Sequence, residues 1–522
     1  MKASHDNQIA FYLFVFFCAI YLLTTSVLNV LQFDVGIMRT EVIESIIERF
    51  DLAVPSKTGV VGIDGRDYSW FGIGSALLYL PFCAMAKTVG IPTEFVVSIL
   101  NSFFGAAAAV LVFLFCASLG YSKRASVYTA IIYGLGTMAW YYAKDPGDHA
   151  LETFFMLLAA FFMSQFVTNE KNKYIIFSGI ALGIAGLVRP SSFLLVLPLL
   201  LTLTVHLSKK YDVLQCCKTL PRHACLLFCS LLPFVSIFLW YNQYRFGSFL
   251  ESGYSLIAAR VGVDFFNGTP FLTGITGLLL SPGKGFFYYS PITILFFFSF
   301  RSFWKKNQEV AVCFASTIFL YMIFFAKNNF WHGDWAWGPR YIFMLTPFFI
   351  IPTVDILEAK LRSQNKYAKL VILCLFISSM LVQVISISVN TYSYFLLLEN
   401  EKQVKFTVVM GPGVQPIKGP VPVTYFVWRL SPILVQAEMG CRIISNIHQI
   451  SNVSTHLNSK ANSKVKISDL PIMNSLDFWW YYIYYSGGNR LVISIVPLLL
   501  LTFAYMTVHK LHTIIMSPPQ IE

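Results

Sequence analysis

The chain has 522 residues, of which 56% are hydrophobic and only 12% are charged. Soluble domains carry roughly 25% charged residues, so this composition excludes an ordinary soluble protein and indicates a polytopic membrane protein. The formal net charge of +12 is spread between apolar runs, and this distribution excludes a nucleic-acid-binding face.

The first predicted element is an apolar run at residues 8–32, which is too long for a signal peptide and predicts a membrane anchor. Further apolar runs bring the predicted number of transmembrane helices to about twelve, so the predicted fold class is an all-α polytopic membrane protein. These other runs lie at residues 95–119, 125–142, 150–168, 174–188, 191–207, 223–243, 286–300, 309–327, 341–357, 370–392 and 491–509.

The basic loops predict the orientation. Loops rich in Lys and Arg are expected on the cytoplasmic side, and with twelve spans and both termini inside, all of them fall there. These loops contain Lys123 and Arg124, Lys171 and Lys173, Lys209 to Arg222, Arg301 to Lys306, and Lys360 to Lys369. The agreement requires that the apolar stretch Trp70 to Gly90 does not cross, so it is predicted as an interfacial or re-entrant helix on the outer side.

Polar segments then collect on the opposite, extracytoplasmic face. Residues 1–392 are predicted to form a transmembrane module, whose first outer loop at residues 33–94 carries helices along the membrane surface. Residues 393–490 form an outer segment of unknown role, and residues 491–522 form a last span with a cytoplasmic tail. The aromatic cluster "LDFWWYYIYYSGG" near the end of the outer segment is interpreted as an interfacial belt.

Ionisable residues near membrane depth point to a functional site because they are expensive to place there. Asp34 follows the first span, where its carboxylate could cap a helix or, partly buried, act as a general base. The stretch "YYAKDPGDHALETFF" places Asp145, Asp148 and His149 just before the fourth span. Asp148 could cap that helix, while His149 could either shuttle a proton or serve packing.

Three cations beside glycine or proline form a second group of candidates. Arg189 precedes a proline in "GLVRPSSF", Arg245 lies in "YRFGSF", and Lys284 lies between two glycines in "SPGKGFF". Small neighbours let a ligand approach the backbone, and a cation beside exposed N–H groups suits a phosphate. The alternatives are a carboxylate partner for Arg189 and a turn near the lipid headgroups for Lys284. The spacing of a nucleotide-binding loop is absent.

A tryptophan-rich loop, "NNFWHGDWAWGPRYIF", completes the candidates. Its indole rings could form an aromatic belt or a sugar-binding surface, since the C–H faces of a pyranose are apolar and its hydroxyls need polar partners. The predicted sugar or acceptor contacts are Asp145, Asp148, His149, Trp331, His332, Asp334 and Trp337. No metal-ligand cluster or cysteine pattern is visible, so no metal or other cofactor is predicted.

The series of motifs resembles that of the GT-C superfamily of membrane glycosyltransferases, and more narrowly that of bacterial relatives of the protein O-mannosyltransferases and the aminoarabinose lipid A transferases. The resemblance covers about residues 8–360 and does not extend to the last part of the chain, including residues 393–490. The motifs that carry it are "FDVGIMRTE", "GIDGRDYSWFGIGSALLYLPF", "YAKDPGDHA", "LVRPSS", "YRFGSFLESGY", "SPGKGFFYYSP" and "WHGDWAWGPRYIFMLTPF".

The resemblance implies an enzyme of the bacterial inner membrane that moves a hexosyl or pentosyl group from a polyprenyl-phosphate donor to an acceptor on the extracytoplasmic face. It makes Asp34 the catalytic base. The family often has a paired Asp-Glu where this chain has Asp34 and Val35, so Glu41 is a substitute candidate. The implied ligands of the donor phosphate are Arg39, Arg189, Arg245, Lys284 and Arg340.

Two other functions stay open at this point. A transporter or flippase of a lipid-linked saccharide would bind the same donor without a base, but the internal repeats and mid-span charges expected of it are missing. A membrane scaffold is disfavoured by the concentration of Asp, His and Arg on one face. In each case membrane lipids are the expected partners, and the sequence does not name the acceptor.

Overall fold

The computed structural model describes residues 2–26, 34–55, 59–261, 266, 269–333, 336–391, 393–394, 398, 406–409, 417–420, 422–445, 476–485 and 489–516. These residues form a helical membrane protein with two short hairpins, as the composition predicts. In the hairpins, β1 (Val60–Val61) pairs with β2 (Asp67–Tyr68), and β3 (Phe406–Val409) pairs with β4 (Ile417–Pro420), both antiparallel.

The helices of the first half are α1 Lys2–Thr24, α2 Asp34–Arg49, α3 Gly74–Thr88, α4 Thr93–Ser118, α5 Lys123–Gly136, α6 Ala139–Lys144, α7 His149–Asn169, α8 Lys173–Val188, α9 Val196–Lys210, α10 Val213–Phe246 and α11 Tyr254–Val261. Those of the second half are α12 Phe271–Leu280, α13 Phe286–Tyr289, α14 Leu295–Lys306, α15 Gln308–Ala326, α16 Thr346–Ile350, α17 Val354–Arg362, α18 Lys366–Ser388, α19 Pro432–Ser445, α20 Trp479–Tyr485 and α21 Arg490–Met516. The 3₁₀ turns are Pro190–Leu195, Pro291–Ile294, Arg340–Leu345, Ile351–Thr353, Pro422–Phe426 and Trp428–Leu430.

Nine helices or continuous helical runs among the described residues are long and apolar enough to cross a membrane. The predicted count of about twelve is not confirmed, because three of the predicted runs fold as shorter pieces. The run 125–142 is divided between α5 and α6 by the extended backbone of Thr137, and the run 286–300 is broken at Pro291. The run 174–188 forms α8, whose 16 residues span about 24 Å against the ~30 Å of a hydrocarbon core.

Polar side chains begin several of the helices. Asp212 accepts a hydrogen bond from the backbone N–H of Gln215 at 2.8 Å, and Asn365 accepts one from Ala368 at 3.1 Å. Each satisfies a donor that the first turn of α10 or α18 leaves open. The other end of α10 closes at Gly247, whose φ of +69° is the left-handed conformation that glycine adopts without strain.

Ion pairs connect the basic loops to neighbouring acidic residues at one end of the helix bundle. The pairs that join them are Lys123–Asp6, Lys209–Glu309, Lys210–Glu170 and Lys306–Asp355. The hydroxyl of Tyr121 donates to Asp355 at 3.1 Å and so links the first of these loops to the last. The basic loops therefore share one end, as expected of loops on one side of a membrane.

The first loop packs over the opposite part of the bundle through α2, the β1–β2 hairpin and α3. Helix α3 has 15 residues and is not among the nine candidate spans. That Trp70 to Gly90 does not cross stays a prediction. Its glycines allow a close approach to α8. A Cβ atom on Gly74 would lie only 2.5 Å from the backbone nitrogen of Val188, so α3 rests directly on the backbone that leads into Arg189.

Candidate active site

The turn Asp145–Asp148, between α6 and α7, lies at the centre of the candidate site. Asn101 of α4 donates from its amide to the carbonyls of Asp145 and Gly147, the latter at 2.7 Å. The hydroxyl of Tyr79 on α3 donates in turn to the amide oxygen of Asn101. Both side chains are buried. The first loop and α4 therefore hold this turn through backbone carbonyls and not through its acidic side chains.

Arg39 ties α2 to the same turn. Its guanidinium pairs with the carboxylate of Asp148 and donates to the carbonyl of Pro146, while Nε donates to the hydroxyl of Ser75 at 3.1 Å. The arginine side chain is only 3% exposed. A guanidinium is always charged, and a buried one requires such partners. Arg39 therefore places one fixed positive charge beside the turn and balances it with Asp148.

A second charged cluster lies one helical turn further along α7. Nη1 of Arg189 is 3.1 Å from Oε2 of Glu152, and Ser192 donates to the other carboxylate oxygen at 2.9 Å. The same Nη1 lies 3.0 Å from Nδ1 of His149. Because arginine can only donate, Nδ1 must accept, so a neutral His149 carries its proton on Nε2.

Asp145 and His149 face the same space across Gly147. A Cβ atom on Gly147 would lie 2.5 Å from Oδ1 of Asp145 and 3.5 Å from Nε2 of His149, so these two atoms are within about 6 Å of each other. Burial raises the pKa of Asp145 to about 6, although the N–H of Gly147 and the charges of Arg340 and Arg39 oppose this rise. The site thus contains a carboxyl group that titrates near neutral pH.

The guanidinium groups of Arg189 and Arg340 both lie near the ring of Tyr341. The Cζ atom of Arg189 is 5.6 Å from the ring centre of Tyr341, and that of Arg340 is 5.0 Å from it. Burial raises the pKa of Tyr254 to about 12, and the charges of Arg189 and Arg340 oppose this rise, so the phenol lies within their electrostatic influence. This arrangement presents two cations and a phenol to one region, and cations held together in this way suit a phosphate group.

Comparisons with known proteins agree with this architecture. A family model described as dolichyl-phosphate-mannose-protein mannosyltransferase matches residues 82–240. The oligosaccharyltransferase of Archaeoglobus fulgidus in its apo form superposes with a TM-score of 0.51 at 13% identity, over 76% of this chain and 58% of the archaeal chain. The chain has the GT-C fold.

Other matches to this GT-C chain include structures with a lipid phosphate bound. The archaeal oligosaccharyltransferase AglB from Archaeoglobus fulgidus, in complex with an inhibitory peptide and a dolichol-phosphate, has a TM-score of 0.50 at 13% identity, over 77% of this chain and 59% of its own. ArnT from Cupriavidus metallidurans, bound to undecaprenyl phosphate, has a TM-score of 0.48 at 12% identity, over 97% of this chain and 76% of the ArnT chain. No curated protein matches the sequence.

Two cations predicted to bind the donor phosphate have protein partners in the GT-C chain. Arg245 is buried and donates to the carbonyls of Ser69 and Tyr241 and, at 2.9 Å, to Asn242. These contacts tie α10 to the first loop, and the phosphate contact of Arg245 stays a prediction. The ammonium group of Lys284 is also buried, and it donates to the carbonyl of Ala336 at 2.6 Å in the tryptophan-rich loop.

Two tryptophans of that loop lie in the interior. Trp331 and Trp337 are 0% exposed. The ring of Trp337 packs on Tyr289 at 4.9 Å between centroids, and His332 stacks on Tyr425 at 4.9 Å. Both indoles are packed inside the protein in this conformation, and their contact with a sugar stays a prediction.

Two predicted site residues lie partly or wholly outside the described residues. Asp34 is the first residue of α2, but its side chain lies outside the described residues, as does the whole of Asp334. Conversely, Asn101 and Tyr254 belong to the site but were not predicted. Tyr254 lies within the quoted motif "YRFGSFLESGY", so the sequence offered a signal for it. Asn101 is a single polar residue inside an apolar run, which gives no such signal. Among the described side chains, no three His, Cys, Asp or Glu residues are grouped to hold a metal.

Proposed function

We propose that this protein is a glycosyltransferase that moves a sugar from a polyprenyl-phosphate donor to an acceptor on the extracytoplasmic face of a bacterial plasma membrane. The observation that carries the proposal is the convergence of Arg39, Arg189 and Arg340 with Asp145 and His149 in a chain with the GT-C fold. An acceptor site needs acid–base groups, and a phosphate leaving group needs cations. Both are present here.

Arg189 and Arg340 are the proposed ligands of the donor phosphate. They flank Tyr341, and the side chain of Arg189 is 15% exposed, so a ligand can reach it. Preorganised cations stabilise the charge that builds up on the phosphate as the sugar leaves. A GT-C protein from Archaeoglobus fulgidus has been solved with a dolichol-phosphate, which supports a lipid phosphate in this role.

Asp34 is the proposed general base toward the acceptor. As the first residue of α2 it precedes Arg39 on the same helix, and a rise of about 1.5 Å per residue puts its backbone about 7–8 Å along the axis from that arginine. Since Arg39 contacts the turn at Asp148, the start of α2 is close enough to serve the same site. A phosphate is already a good leaving group, so this mechanism needs no general acid.

The proposed orientation of the protein in the membrane rests on the basic end of the helix bundle. The basic loops that share one end are expected in the cytoplasm by the positive-inside rule. The first loop and the Asp145–Asp148 turn belong to the other end, which supports an active site on the extracytoplasmic face. A flippase for the same lipid would use the arginines but would not need Asp34.

The experiment compares transfer and lipid binding in two variants of the first loop. Asp34→Asn should lose transfer about 10²–10⁴-fold, the usual contribution of a general base, yet still copurify with a polyprenyl phosphate detected by mass spectrometry. Asp64→Asn is the matched control, since Asp64 is an exposed carboxylate of the same loop that pairs with Arg66, and it should retain transfer. Near wild-type transfer by Asp34→Asn would refute the catalytic assignment, and copurification without any transfer by the wild type would favour the flippase.

A further inference from the structure

Asp477, near the end of the outer segment, joins three distant parts of the chain. Its Oδ1 accepts a hydrogen bond from Ser26 at 2.6 Å, and its Oδ2 lies 2.9 Å from the ammonium nitrogen of Lys144. Its backbone N–H donates to the carbonyl of Ser388 at 2.9 Å. The side chains of Asp477 and Lys144 are 3% and 1% exposed. The carboxylate of Asp477 therefore connects the ends of α1 and α6, and its backbone N–H adds the end of α18.

Lys144 is satisfied entirely within this junction. Besides the carboxylate, its ammonium donates to the carbonyls of Ile387 and Asp477, each at 2.8 Å. Desolvating two charges offsets most of their attraction, so a buried ion pair is weak evidence for a gain in stability. What such a pair does specify is geometry, and here the residue after Lys144 is Asp145 of the candidate site.

The same segment also closes the end of α1. The backbone N–H of Trp479 donates to the carbonyl of Thr25 at 3.0 Å, and its indole donates to that of Leu22 at 2.9 Å. The indole of Trp480 donates to the carbonyl of Leu23 at 3.0 Å. The last carbonyls of a helix have no partner within the helix, so these bonds define where α1 ends. The chain continues from there to Asp34.

We infer that Asp477 is a positioning residue for the active site. It holds the exit of α1, which leads to Asp34, and the end of α6, which leads to Asp145, at a fixed separation. The two acidic segments then keep the spacing that transfer requires, and the outer segment acquires a role in catalysis without touching the substrate. This inference rests on the proposed function for its catalytic consequence, but the mechanical coupling can be measured independently.

The first test measures hydrogen exchange in the purified full-length protein. Asp477→Asn should raise exchange at least tenfold in peptides covering residues 24–39 and 144–149. The matched control is Asp355→Asn, because Asp355 is also buried and paired with a lysine, Lys306, but at the basic end. Unchanged exchange in Asp477→Asn, or an equal rise in both variants, would overturn the coupling.

The second test measures transfer kinetics. Displacing a reacting group by about 1 Å can slow a reaction on the order of 100-fold, so Asp477→Asn and Lys144→Met should lower kcat 10- to 100-fold with KM for the donor within twofold of wild type. The double variant Lys144→Met with Asp477→Leu should regain thermal stability but not kcat. Recovery of kcat in the double variant would overturn positioning by this pair. If the wild type showed no transfer, the proposed function would fail while the exchange result still decided the coupling.

Discussion

Nη1 of Arg189 lies 3.0 Å from Nδ1 of His149 and 3.1 Å from Oε2 of Glu152. One guanidinium nitrogen thus both neutralises a buried carboxylate and selects the tautomer of the histidine. The proton of a neutral His149 is left on Nε2, on the side of Asp145. This relationship couples the stability of α7 to the chemistry of the site, and the two contributions can be separated by mutation.

Arg189→Gln should destabilise the protein by about 3–5 kcal/mol, since it leaves Glu152 buried with an uncompensated charge. Adding Glu152→Gln should restore most of that loss, because a neutral pair replaces the lone carboxylate. Transfer should stay low in both variants, since both lack the Arg189 cation and keep only Arg340 beside Tyr341. Thermal unfolding in detergent and donor-dependent transfer measure the two effects. Recovery of transfer together with stability would show that Arg189 serves only the fold.

Asp145 should make stability depend on pH. Its pKa rises from the ordinary 3.8 to about 6 on burial, so the folded protein binds this proton more tightly than the unfolded chain. The stabilisation is therefore complete below pH 4 and is lost as pH rises through 6. This stabilisation amounts to about 3 kcal/mol in total, of which about 1–2 kcal/mol should be gained as the pH is lowered from 7 to 5. The measurement is the free energy of unfolding of the wild type relative to Asp145→Asn.

Asp64 provides the control of opposite sign. Hydrogen bonds from Tyr68 and Arg66 lower its pKa to about 2, so its contribution is present above pH 3.8 and is lost only toward pH 2. The stability of the wild type relative to Asp64→Asn should not change between pH 7 and pH 5. Equal pH dependence for both comparisons would contradict the assignment to Asp145.

Gly147→Ala should reduce transfer with little loss of overall stability. The added Cβ would meet Oδ1 of Asp145 at 2.5 Å and Cδ2 of His149 at 3.0 Å, and both side chains must move apart to admit it. A tenfold or larger fall in kcat is expected, since positioning errors of this size slow reactions strongly. Gly440→Ala, where the nearest atom is 3.6 Å away, should be neutral in the same assay.

Trp480→Phe should destabilise the protein by about 0.5–1.5 kcal/mol, the net value of a hydrogen bond, because the carbonyl of Leu23 loses its indole donor. Trp240→Phe is the matched control, as Trp240 is 53% exposed and packs beside Tyr244. An interfacial belt alone would make the two substitutions equivalent. Thermal unfolding of the two variants in the same lipid distinguishes these cases.

The helices were predictable because hydrophobicity and length are local properties of the sequence. The prediction that Trp70 to Gly90 does not cross has a different basis, since the side of the membrane on which all later basic loops lie depends on it. The count of spans was less accessible. A single extended residue, Thr137, or the Ser290–Pro291 step divides an apolar run that composition alone reads as continuous.

The site was predictable in its charges but not in its partners. Arg189 and Arg245 look alike in sequence, each a lone cation near the end of an apolar run. They differ in their partners, which are distant in sequence. Arg189 contacts the side chains of His149 and Glu152, whereas Arg245 donates to the carbonyl of Ser69, 176 residues away. Asn101 and Asp477 were missed for the same reason: each acts through bonds to distant backbone or side-chain atoms, which leave no local pattern.

The junction at Asp477 also has a consequence for biosynthesis. Ser26 and Asp477 are 451 residues apart, and elongation at about 5–20 residues per second separates their synthesis by about 20–90 s. Until residues 477–480 are made the exit of α1 lacks these partners, although every loop up to Arg340 is made before them. A nascent chain arrested before residue 477 therefore contains all the acidic and basic groups of the site, yet the exit of α1 still lacks these hydrogen bonds.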